Sequence, residues 1–247
     1  MVALPYALHS LFATSTAASF FLNPFGVLHA TNCDVSGEAS QIDLPANQTQ
    51  LVLPTNSTPT FVGLAFGVQN YTCTSSNNFT NVGAVAELID VTCLAGSSTF
   101  LSLPDTLFSA WTAPSSSASG SIQDIILTNH LLNNTDILAQ HYFVPNPVAN
   151  GTGLSPKWDF TSSGKFAGNA QAFVVAKGKG TLPAPTNSTR DVNWLDVVNV
   201  QGAIADEVFR TDTRGGQPPA SCTFNQTADI SVKYVSYYWF FGGSLGH

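Results

Sequence analysis

Charge is what this chain has least of. Of its 247 residues only 9% are Asp, Glu, Lys or Arg, against roughly 25% in an average soluble domain. Eight of them are cations, and these form no cluster. Nucleic-acid binding draws on a patch of Lys and Arg that displaces counterions, so that partner class is excluded. The same shortage argues against docking on an anionic membrane. Beyond the N-terminal stretch no apolar run approaches the ~20 residues that a spanning helix needs. Gly-x-Gly-x-x-Gly after a strand pattern is missing, and with it the dinucleotide cradle. "GKGKGT" lacks the Gly-Lys-Ser/Thr of a phosphate-binding loop. There is no Cys-x-x-Cys pair and no His spaced to complete a zinc set. No cofactor and no metal are therefore expected.

What is there points to the cell exterior. Asn47, Asn56, Asn70, Asn78, Asn133, Asn150, Asn187 and Asn225 each open an Asn-x-Ser/Thr triplet, the acceptor for N-glycans. "MVALPYALHSLFATSTAASFF" is apolar and runs into small residues. It reads as a signal peptide over residues 1–20, with cleavage between Ala18 and Ala30, although its start carries no Lys or Arg. Residues 31–247 then form a single β-rich domain. The four cysteines, Cys33, Cys73, Cys93 and Cys222, suit two disulfides in an oxidising compartment. Four cysteines allow three pairings, and spacing does not choose among them.

Strand patterns follow one another. In "FVGLAFGVQNYTC", Val62, Leu64, Phe66 and Val68 share one face, and Phe61, Gly63, Ala65 and Gly67 the other. The small residues on that second face suggest a bend or the close approach of another sheet. In "ISVKYVSYYWFF", Tyr234, Ser236 and Tyr238 alternate with Val235, Tyr237 and Trp239, a last strand that closes a core. Helical spacing occurs over Ile122–Asn134, and "DTLFSAWTA" reads as a further helical turn. The expected fold is all-β: a sandwich or flattened barrel with one or two short helices and two disulfides.

Candidate chemistry is sparse. His141 lies in "AQHYFV" beside Tyr142, and Trp158 in "SPKWDF" follows. An imidazole titrating near neutrality serves as acid or base, and an indole stacks on a sugar face. The alternative is a structural histidine bonded to a carbonyl, with Trp158 in the core. In "VFRTDTRGGQPPASC" a regular strand puts Val208, Arg210, Asp212 and Arg214 on one face, a plus–minus–plus ladder. A covered Arg210 needs a partner or carbonyls. Gly215-Gly216 and Pro218-Pro219 make a corner.

The ordered runs "GVQNYTC", "AELID", "QHYFV", "PKWDF", "NWLDVVNV", "VFRTDTRGGQPPASC" and "VKYVSYYWFF" resemble the secreted fungal proteins of the family catalogued as domain of unknown function 3455. The resemblance runs from about Asp43 to Phe241. It is carried by Gln69, Tyr71, Cys73, His141, Tyr142, Trp158, Trp194, Arg210, Thr213, Gly215, Gly216, Pro219, Cys222 and Tyr234. Shorter bacterial members keep only Cys73 and Cys222, so the resemblance implies Cys73–Cys222 and, by remainder, Cys33–Cys93. It brings no agreed activity. The label "malate dehydrogenase" that fungal members often carry does not suit a short β-rich chain without a dinucleotide fingerprint. The leading expectation is a non-enzymatic secreted binding protein for a cell-wall or host glycan, through Gln69, Tyr71, His141, Tyr142, Trp158 and Arg210. The alternatives are an enzyme on a carbohydrate or small metabolite using His141 and Arg210, and an effector-like module that binds a host protein.

Overall fold

The computed structural model describes residues 33–112 and 137–245. The expected signal peptide, the helix over Ile122–Asn134 and the sequon at Asn133 lie outside them. Eight antiparallel strands follow in order: β1 (Pro59–Cys73), β2 (Phe79–Asp90), β3 (Ile137–Pro145), β4 (Leu154–Asp159), β5 (Phe173–Leu182), β6 (Trp194–Gly202), β7 (Glu207–Gly215) and β8 (Ile230–Phe241). Each pairs with its neighbour in sequence, and β8 returns to pair with β1 along its length. The sheet is therefore a closed up-and-down barrel, which corrects the sandwich alternative. Closure leaves no sheet edge to template aggregation.

Alternation sorts the strand residues into two cores. Phe61, Ala65, Ala86, Leu88, Val174, Val208, Tyr238 and Phe240 fill the barrel. The small face of β1 is this interior. At Gly67 a Cβ would come 2.1 Å from the Val85 carbonyl, so only glycine lets β2 lie this close. The opposite faces of β1 and β8 turn outward. There Val62, Leu64, Phe66, Tyr237 and Trp239 form a second core with a helix and the segment around Val35, Ile42 and Leu51. Cys33–Cys93 ties that segment to the barrel, and Cys73–Cys222 ties the end of β1 to the chain before β8.

The helix α1 spans Ser98–Thr112, longer than the turn expected at "DTLFSAWTA". Phe100, Leu103, Leu107 and Trp111 are buried at helical spacing against the outer wall. Burying such side chains is worth about 1.5–3 kcal/mol each. Pro104 sits inside the helix and has no N–H for the Phe100 carbonyl four residues back. The Tyr237 hydroxyl donates to that carbonyl instead, at 2.5 Å, while its ring stacks on Phe100 at 4.2 Å. Trp111 Nε1 donates to the Gly67 carbonyl at 3.0 Å and fixes the other end.

β7 departs from a regular strand. Asp212 has φ 51°, and the register with β8 shifts between Thr211 and Arg214. Such a bulge flips the residues beyond it. Arg210 points into the barrel, while Arg214 grips Asp105 on α1 through Nε and Nη2. The expected charge ladder on one face does not form. The corner at Gly215 (φ 71°) and Gly216 (φ 91°) does, and the Asp191 carboxylate accepts from the Gly215 N–H at 2.7 Å.

Candidate functional site in the barrel mouth

Strand register gathers the polar side chains of the interior into one zone. His141 on β3 lies opposite Trp158 on β4; Leu195 on β6 lies opposite Arg210 on β7, and Arg210 opposite Tyr238 on β8. With Val197 and Val208 they enclose a cavity of about 50 Å³, room for roughly three or four waters. Phe143, Pro156 and Leu195 complete the lining and are only half-buried, so they mark its open side. The far end of the barrel is plugged by Phe61, Phe160, Phe166 and Phe240 in mostly edge-on contacts.

His141 is buried and stacks on Trp158, ring centres 4.5 Å apart. Its Nδ1 is 2.9 Å from the Lys157 carbonyl. A carbonyl only accepts, so Nδ1 carries the proton and Nε2 of the neutral ring is an acceptor. Burial drives the imidazole pKa down to about 3, the Lys157 carbonyl opposes this, and the Arg210 charge lowers it further. The ring is neutral throughout the physiological range.

Arg210 is 9% exposed. Its Nε and Nη2 both donate to the Asn193 carbonyl, at 3.0 and 2.8 Å. Among the described residues no carboxylate forms an ion pair with it. Beside it, the Tyr234 and Tyr238 hydroxyls are 3.2 Å apart. Burial lifts Tyr234 well above the usual phenol value.

The other candidates are placed differently. Tyr71 and Gln69 are buried at the same end of the barrel but do not line the cavity. Tyr71 donates to the Gly216 carbonyl at 2.8 Å and so pins the corner; Gln69 Oε1 accepts from Asn81 at 3.0 Å. Tyr142 follows His141 and points to the outer face. There it donates to Asp159 at 2.6 Å beside the Lys157–Asp159 ion pair. Burial works against the Asp159 charge, but hydrogen bonds from Lys157, Tyr142 and Thr161 prevail and bring its pKa to about 2. Sequence reasoning left Tyr238, Leu195 and Val208 off the site. The signal for Tyr238 was its alternation with Tyr234, and the aromatic strand read as plain core.

The family described as "Protein of unknown function (DUF3455)" matches residues 54–242. The chain belongs to this family. The match covers the whole barrel, the cavity and Cys73–Cys222, and begins after the Cys33 segment. No curated protein and no solved structure matches the chain.

Proposed function

We propose that this is a secreted, non-enzymatic binding protein that takes a small extracellular ligand, or the end group of a glycan, into the barrel mouth. The observation that carries this reading is the cavity shared by His141, Trp158, Arg210 and Tyr238, aromatic-walled and open on one side. Ligand sites are concave, mostly apolar and fitted with few polar groups, and eight-stranded barrels are just wide enough for one small ligand. At about 50 Å³ the cavity admits an end group and not a polymer chain. Two disulfides support an extracellular setting. So do the sequon asparagines Asn47, Asn56, Asn78, Asn150, Asn187 and Asn225, all exposed; Asn70 is half-buried and accepts from Ser231.

The enzyme reading loses ground at His141. An imidazole with a pKa near 3 is a poor acid or base at neutral pH, and no carboxylate lines the cavity. The effector reading would call for a broad apolar patch. Among the described residues Val52, Val82, Leu101, Val148, Leu154 and Phe224 are exposed, and only Val148 and Leu154 come from one stretch of chain. A library of charged and neutral fragments, read by thermal shift and tryptophan fluorescence, tests the binding reading. Hits that are lost on filling the cavity with Val208→Phe support it. No hit, or hits indifferent to a folded Val208→Phe, overturns it.

A further inference from the structure

We propose that the group held in this cavity is a hydroxy-carboxylate, its carboxylate on Arg210 and its hydroxyl on His141. This rests on the binding reading and names the ligand class. The chain has three arginines. Arg190 and Arg214 each grip an aspartate through two nitrogens. Arg210 is buried and has only one carbonyl oxygen for two of its nitrogens, with no partner for Nη1 among the described residues. Buried cations are as a rule paired with an anion. A guanidinium whose pairing is incomplete, lining a cavity, is built for an anion from outside. The apolar Val197 and Val208 walls lower the local polarity and strengthen such a pair.

His141 narrows the class further. Its Nδ1 proton is committed to Lys157, so Nε2 offers a lone pair and has no partner among the described residues. A bare carboxylate would meet that lone pair unfavourably, whereas a hydroxyl on the neighbouring carbon donates to it. The indole N–H of Trp158 is also buried without a partner among the described residues. Hydroxyl and carboxylate on adjacent or near-adjacent carbons occur in free hydroxy-acids and in the uronic-acid ends of wall polysaccharides, and one experiment separates these sources.

The full-length secreted protein is titrated with glycolate, its amide glycolamide, propionate, digalacturonate and the neutral disaccharide lactose, following tryptophan fluorescence and calorimetry. Glycolate or digalacturonate is expected to bind roughly tenfold or more tighter than its neutral counterpart, and glycolate tighter than propionate. Arg210→Gln removes that preference, and His141→Phe removes the advantage of glycolate over propionate. Preference for glycolate marks a free acid; preference for digalacturonate marks a wall polymer. Neutral and charged ligands bound equally by the wild-type chain overturn the inference and leave the binding reading standing. If neither these nor any library fragment binds, both fall. The wild-type comparison needs no variant to fold.

Discussion

His141 shows how one side chain reports its surroundings through pH. Unfolded, it takes a proton near 6.5; folded, burial holds it neutral down to about 3. Below pH 6.5 the unfolded chain binds a proton that the native state refuses, so stability falls from there towards pH 3. Glu87 acts in the opposite sense. Burial on the outer wall raises it to about 7 from 4.5, partly offset by the Gln140 hydrogen bond. The native state holds that proton while the unfolded chain has lost it, so stability is lost as pH rises from 4.5 to 7. Urea midpoints measured across pH 3–8 should therefore show His141→Phe flattening the acid limb and Glu87→Gln flattening the limb above pH 4.5. An unchanged acid limb in folded His141→Phe would mean that the imidazole titrates normally. The adjacent Tyr142 shows what sequence does not carry at this scale. Proximity in "QHYFV" suggested a shared site, but strand alternation sends the two rings to opposite faces of the wall.

Among the elements, α1 depends on a side chain outside itself. Pro104 orphans the Phe100 carbonyl, and Tyr237 on β8 supplies the missing donor. Tyr237→Phe should cost about 1–3 kcal/mol, the price of a buried acceptor left unmade. In the Pro104→Ala background the helix regains its own N–H, and the same change should cost markedly less. A double-mutant cycle by urea unfolding reads the coupling; strict additivity would refute the substitution of one donor for the other. This dependence was hidden in the sequence because Pro in "FLSLPDTL" signals a helix boundary. The β8 pattern was legible, since its period of two separates the Tyr234 face from the Tyr237 face. The bulge at Asp212 was not: its left-handed backbone is rare outside glycine, and without it the ladder of Arg210, Asp212 and Arg214 follows naturally. The loop from Asn146 to Gly153 joins β3 and β4 at the open end, beside Phe143 and Pro156. Shortening it should change ligand affinity with little effect on stability, as measured by titration and melting; a large melting shift with unchanged affinity would remove the loop from the site.

At the level of the whole molecule, barrel or sandwich was decided by one non-local event, the pairing of β1 with β8. Both strands were legible, but their partnership spans the domain and leaves no local mark. The all-β class and two disulfides were legible. The pairings came from the family resemblance, and the structure bears them out. Cys73 and Cys222 are separated by 149 residues, so their bridge restrains most of the unfolded chain. Replacing both with Ser should cost about 4–5 kcal/mol on the loop-entropy scale, by denaturant midpoint under non-reducing conditions. Loss under 1 kcal/mol would show that the barrel closes without help. The candidate site was half legible. His141, Trp158 and Arg210 were singled out by type, yet only register around a closed barrel puts them on one cavity.

The most direct test of that cavity uses the four tryptophans as reporters. Only Trp158 lines it; Trp111 is on α1 and packs with Trp194 and Trp239 in the outer core. In a proton–nitrogen correlation spectrum, adding glycolate or digalacturonate should move the Trp158 indole signal and the Arg210 side-chain signal together, saturably, while the other three indoles hold still. Movement confined to the outer three, or ligand bound with Trp158 and Arg210 unmoved, would contradict a binding site inside the barrel.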